Sequence, residues 1–210
     1  MTVPVVRLHG FGTSSARTWG DNGWFDLLAD AGREPIGIDL LGHGTAPKPH
    51  DPAAYEAMGD YVAAQLPPGP VDAIGFSLGA RTLLEMAADK PDRFRRIVTL
   101  GVGANLMRPA DTDPLIAAVS GSADAANPMA QYFARLSEHP DSDPEALAAE
   151  TELAERVLLR RPDLLRRLSE IQSENSYSFV GIAHTLGLPG WAGQAMMLVS
   201  GGALVVFCVV

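Results

Sequence analysis

Residues 75–79 read Gly-Phe-Ser-Leu-Gly, a serine flanked by glycines two positions away on each side. A serine hydroxyl is a weak nucleophile at neutral pH. It needs a base to take its proton, and donors to hold the oxyanion that forms when it attacks an acyl carbon. The pentapeptide serves this chemistry when it falls at a sharp strand-to-helix turn. Small residues at the flanking positions relieve crowding there, and the serine is lifted clear of the sheet edge. Ser77 would then stand at a helix N-terminus. The backbone N–H of Leu78 would have no intrahelical acceptor, and the helix dipole would favour negative charge beside it. The alternative is that Ser77 is a plain helix N-cap.

A second donor is expected from the segment Arg-Leu-His-Gly-Phe-Gly at residues 7–12. A strand ending in His9-Gly10 leaves Phe11 to present its backbone N–H over the site. Phe11 and Leu78 are therefore the expected oxyanion donors. His9 sits at a strand end ahead of the serine and reads as shaping the loop rather than as the base. His43, in Asp-Leu-Leu-Gly-His-Gly, reads the same way. His50 and His139 lie in polar, proline-flanked segments and read as solvated surface. Asp39 is expected to fix the loop that follows it rather than to serve as a catalytic acid. His184 is the remaining candidate base, with Glu170 or Glu174 as the groups that could orient it.

These residues need a scaffold that brings three loops together. Residues 3–8 are β-branched and apolar and read as a buried strand, with Arg7 as an oddity inside it. Residues 23–31 read as an amphipathic helix closed by Gly32. A second strand is expected at 34–39, then a Gly- and Pro-rich loop, then a helix over 53–65. A third strand at 71–76 runs into a helix at 77–89, and a fourth strand follows at 95–100. Strands alternating with helices imply an α/β fold with a mostly parallel sheet and helices on both faces. The loops after successive strands then share the carboxyl edge, where residues 9–11, 39–44 and 77 would meet. Residues 105–172 are proline-punctuated and helical. They read as a lid over that edge, or alternatively as a pair of ordinary crossover helices.

The ordered set His-Gly-Phe-Gly-Thr-Ser-Ser (9–15), Asp-Leu-Leu-Gly-His-Gly (39–44) and Gly-Phe-Ser-Leu-Gly-Ala (75–80) resembles the single-domain α/β-hydrolases, the esterase, lipase and C–C hydrolase group. The resemblance implies a Ser77 nucleophile, an oxyanion hole built from the Phe11 and Leu78 N–H groups, and no cofactor or metal. It implies a serine hydrolase acting on an ester or related acyl bond, and the apolar helical cap would favour a small apolar substrate. In that family the acid and then the histidine follow the serine. Here Ala203-Leu204 stands where an acid is expected, and no aspartate follows Asp163. The chain also starts directly at what resembles the family's third strand, so the fold is expected to be incomplete at both ends. A non-catalytic or truncated relative without acid and base is the alternative.

Three segments are expected: a core with the serine turn at 1–104, a helical cap at 105–175 and an uncharged tail at 176–210. The last 36 residues carry no charge, whereas charged residues make up 20% of the chain. The tail reads as buried sheet, including a late strand near 195–206, as a membrane-contacting end, or as an aberrant terminus. Its Gly, Ser and Gln content weakens the membrane reading, although residues 191–210 approach the length of a spanning helix. The net charge of −9 and the lack of any basic block argue against nucleic acid as a partner. Cys208 is the only cysteine, so no intrachain disulfide is possible. With no secretory signal pattern at the start, a cytoplasmic location is the expectation.

Overall fold

The computed structural model describes residues 3–102, 113–160 and 207–209. Strand β1 (Val5–Leu8) is buried throughout, because parallel neighbours flank it on both edges. Helix α1 (Trp24–Asp30) follows, then β2 (Pro35–Ile38). A 3-10 turn (Pro52–Ala57) leads into α2 (Met58–Ala63). Strand β3 (Val71–Phe76) passes directly into α3 (Leu78–Asp89), and β4 (Phe94–Leu100) closes the parallel set. The sheet order is β2-β1-β3-β4-β5, with β5 (Phe207–Val209) antiparallel to β4. The fold is therefore α/β, with four parallel strands alternating with helices as the residue pattern predicts. The late strand expected near 195–206 lies outside the described residues. Among the described residues no helix is long and apolar enough to cross a membrane.

Local rules account for the element ends. Helix α1 stops at Gly32, which takes φ +69°, with Gly32 N–H bonded to Ala29 and Arg33 N–H to Leu28. This is the left-handed glycine stop that the sequence predicts. Asp51 caps the turn before α2 through the Ala53 N–H. The helix expected at 53–65 is shorter than that, because its first turn is wound as 3-10 behind Pro52.

Among the described residues, α4 (Asp113–Val119), α5 (Pro128–Ser137) and α6 (Pro144–Arg160) follow β4. The last of these packs into the sheet core. Ala149 and Leu153 of α6 join the same core as Leu8 of β1, Leu40, Tyr55, Val62 and Leu83 of α3.

Arg7 is fully buried, and among the described residues none of its three side-chain nitrogens has a hydrogen-bond partner. Among the described residues it lies over the Phe25 ring, with the guanidinium carbon 3.5 Å from the ring centre. Burial pushes its pKa down to about 10, so it stays charged at neutral pH. An uncompensated internal charge costs more than one cation–π contact returns. Arg7→Met is expected to stabilise the fold by roughly 1–3 kcal/mol, read as a higher urea midpoint at unchanged slope. A loss of stability would mean that Arg7 has a partner.

Gly79 poses the opposite constraint. A Cβ there would stand 2.5 Å from the Leu8 carbonyl oxygen and 2.6 Å from that of His9. Both are backbone atoms in a central strand end, so neither can yield cheaply. Gly79→Ala is expected to cost at least about 2 kcal/mol, measured by the same denaturation experiment.

Candidate active site

Ser77 is the hinge between β3 and α3. Its backbone has φ 50° and ψ −108°, and among the described residues no other non-glycine has a positive φ. Such a conformation costs on the order of 1–3 kcal/mol and persists only where the surroundings over-determine it. They do so here. The Ser77 N–H donates to Leu100 O at 2.8 Å, the Arg81 N–H donates to Ser77 O at 3.0 Å, and the Gly79 N–H donates to His9 O at 3.0 Å. A Cβ on Gly75 would lie 2.6 Å from the Ala80 backbone, so the turn closes only with glycine at both flanking positions. The Phe76 ring beside the serine lies against Gly10 on one side and Gly101 on the other, each leaving less than 3 Å for a Cβ.

This turn meets the loop after β1. A Cβ placed on Gly10 would lie 3.5 Å from the Ser77 Cβ. Leu78 opens α3, so its N–H has no acceptor within the helix. Phe11 follows Gly10, and among the described residues its N–H meets no acceptor. The residues expected to meet at the carboxyl edge thus do meet there.

Two histidines hold the loops in place. The His9 Nδ1–H donates to Gly10 O at 2.7 Å, and its Nε2 accepts from the Leu40 N–H at 2.9 Å. The His43 Nδ1–H donates to Leu41 O at 3.0 Å, and its Nε2 accepts from the Gly12 N–H at 2.9 Å. Each imidazole is therefore neutral, with both nitrogens used. The rings lie 5.1 Å apart. Burial lowers the pKa of both, that of His43 to about 3 with His9 adding to the effect. Asp39 completes the clamp by accepting from the Ser15 N–H at 2.7 Å and from Thr45 through N–H and hydroxyl. Burial raises its pKa, but these donors outweigh burial and leave it below its ordinary value. His9, His43 and Asp39 hold the loops that the sequence reading assigned to them. Among the described residues none is hydrogen-bonded to the Ser77 hydroxyl. His184, Glu170 and Glu174 lie outside the described residues.

The helices after β4 close over these loops. Phe133 of α5 meets Phe11 edge-on at 5.8 Å between ring centres, and Leu136 packs against Gly12. Arg17 pairs with Asp141 at 3.4 Å. His50 is exposed, but it is more than a solvated residue. It contacts Asp143 at 3.1 Å and Glu145 at 3.0 Å, and the Asp143 hydrogen bond raises its pKa. His139 is exposed and bonds to Asp141. Glu150 of α6 is buried with its Oε2 3.6 Å from His43 Nε2. The sequence reading missed it, although Leu147 and Leu153, three positions away on either side, mark it as lying on the apolar face of its helix. A groove of about 430 Å³ between α2 and α3, lined by Leu66, Met86 and Phe94, includes none of these residues.

Comparison with known proteins agrees with this architecture. Residues 3–176 match the family described as alpha/beta hydrolase fold. The chain is 32% identical over 110 residues to the sn-1-specific diacylglycerol lipase ABHD11 of Mus musculus, covering 48% of this chain and 33% of that protein. It is 45% identical over 62 residues to a pimeloyl-(acyl-carrier protein) methyl ester esterase of Neisseria meningitidis, covering 29% and 23% respectively. These alignments span about a third and about a quarter of the two relatives. Among solved structures, the esterase EaEST from Exiguobacterium antarcticum aligns with TM-score 0.54 at 21% identity, over 73% of this chain and 66% of that one. NosK from Streptomyces actuosus aligns with TM-score 0.54 at 24% identity, over 76% and 68%. At such identities these two speak for the fold alone. The family match, which runs through the parallel sheet and on into the helices after it, makes this chain a member of the α/β-hydrolase fold family.

Proposed function

We propose that the protein is a serine hydrolase that cleaves an ester or a related acyl bond. Ser77 attacks the acyl carbon, and the backbone N–H groups of Phe11 and Leu78 hold the oxyanion. The observation that carries this reading is the strained Ser77 backbone at the junction of β3 and α3, beside the loop that offers the Phe11 N–H. Strain of this kind is retained where a side chain must be presented in one direction. The lipase and esterase names of the two relatives point to the same bond class. Phe11 and Phe133, which meet edge-on, and Phe76, packed between Gly10 and Gly101, are consistent with a small apolar substrate, with residues 105–175 serving as the cap over it. No cofactor takes part in this chemistry.

A fluorophosphonate probe is expected to label the wild type, and Ser77→Ala is expected to abolish labelling, since the probe needs the hydroxyl as nucleophile. An unlabelled wild type would overturn the proposal.

The second reading is a non-catalytic relative that binds a ligand without turning it over. It draws support from His9 and His43, whose four ring nitrogens are committed to the loops. Turnover of a p-nitrophenyl ester that falls at least about 100-fold in both Ser77→Ala and His184→Ala would exclude it and name His184 as the base. Activity lost in Ser77→Ala but unchanged in His184→Ala would remove His184 from the mechanism.

A further inference from the structure

Glu150 is a buried titratable group for which the proposed chemistry has no use. Neither of its carboxyl oxygens has a hydrogen-bond partner among the described residues. It lines a cavity of about 70 Å³ between α3, α6 and the turn before α2, together with Tyr55, Leu78, Arg81 and Thr82. Leu78 is the residue after the nucleophile. The carboxyl also lies 3.6 Å from His43 Nε2, the atom that holds the Gly12 N–H next to Phe11. The side chain therefore stands where α6 meets both parts of the proposed oxyanion site.

The surroundings offer this carboxyl little to stabilise a charge. From the loop after β2 comes His43, neutral, whose Nε2 carries no proton and has its lone pair taken by the Gly12 N–H. From the turn before α2 come Tyr55, whose hydroxyl donates to Pro49 O, and the carboxyl of Glu56. From α3 come Glu85 and Arg81, and the Arg81 guanidinium is held by Glu85 at 2.9 Å. Helix α4, packed on the same helix, brings no titratable side chain over residues 115–119. We propose that Glu150 is a proton-linked latch: helix α6 stays docked against His43 and the Phe11 loop while its carboxyl is protonated, and the docking weakens once the proton leaves.

This rests on the serine-hydrolase reading only for its consequence, the regulation of the Phe11 loop. The sign follows from burial. Desolvation raises the Glu150 pKa from an ordinary 4.5 to about 8, against a smaller opposing pull from Arg81. Between those values the docked helix holds a proton that the undocked helix has released. Each pH unit in that window therefore weakens docking by up to about tenfold. Below about 4.5 and above about 8 the dependence vanishes. His50, paired with Asp143 and Glu145 at the start of α6, has a raised pKa and adds a dependence of the same sign. It is exposed, so salt screens it, whereas the desolvation of Glu150 persists.

The test is hydrogen exchange in about 0.5 M NaCl on the wild type and Glu150→Gln, an isosteric side chain that does not titrate. Protection of residues 144–153, corrected for intrinsic rates, is expected to fall steeply from about pH 5 to 8 in the wild type. It should stay flat in Glu150→Gln and exceed the wild type at pH 8, while residues 78–89 keep equal protection in both. Equal slopes in the two proteins, or a slope shared by 78–89, would overturn the latch. If the variant fails to fold, carbon-13 NMR of the glutamate carboxyls in the wild type decides: one resonance titrating near pH 8 supports the latch, and all titrating in the ordinary range overturns it. Exchange reads the latch whether or not Ser77 labels, so an unlabelled protein counts against the serine reading alone.

Discussion

The first turn of α3 lies directly against the backbone at the end of β1, with the Gly79 N–H bonded to His9 O and no room for a side chain between them. This contact sets the distance between the two halves of the candidate site. If α3 moved outward by the radius of one methyl group, the Leu78 N–H proposed as one oxyanion donor would draw away from the loop that carries the other. The strain at Ser77 follows from the same contact. The chain has to leave β3 and enter α3 without clearing the neighbouring strand, and a positive φ at Ser77 is how it does so. Hydrogen bonds to Leu100 and Arg81 on either side of the serine keep the turn closed.

Once the strand and helix are fixed, the loops must be fixed to them. Loops at a sheet edge have many unsatisfied backbone groups and few apolar contacts. Here two neutral imidazoles supply the missing donors and acceptors, each bridging a carbonyl and an amide from different parts of the edge. Asp39 does the same for Ser15 and Thr45. The helices after β4 then rest on a surface that is already rigid. Phe133 meets Phe11 edge-on, Leu136 packs against Gly12, and Glu150 lies close to His43.

Much of this was legible in the residues because it is local. Strands β1, β3 and β4 announce themselves as short β-branched runs, the glycine at 32 marks a helix end, and the Ser77 pentapeptide marks a turn. The roles of His9 and Asp39 were readable from their places at strand ends, and that of His43 from its place in the Gly- and Pro-rich loop after the second strand. What stayed hidden depends on partners distant in sequence. Asp72 is held by Arg33 and Arg95, which come from 39 positions before it and 23 after it. The Phe25 face that covers Arg7 is set by how α1 crosses the sheet. Glu150 reads as one more charge on a charged helix until its neighbours Ala146, Leu147, Ala149 and Leu153 are seen to be buried. Periodicity alone finds the face; only the fold shows that nothing on it answers the carboxyl.

The saturation of the two imidazoles also bears on where the base for Ser77 must lie. A base that takes the serine proton becomes an imidazolium, and its free nitrogen must face the hydroxyl. His43 has no free nitrogen. Its pKa of about 3 makes the imidazolium unfavourable by roughly four units at neutral pH, on the order of 5 kcal/mol. Turning either ring toward Ser77 would also strand a buried amide and a buried carbonyl, at about 1–3 kcal/mol each. These costs would fall on the loop that carries Phe11, so recruiting either histidine would disturb the segment on which the proposed oxyanion donor sits. On the serine-hydrolase proposal, the same tautomers that hold the Phe11 loop keep its histidines out of the proton transfer, and the base for Ser77 is a side chain outside this clamp.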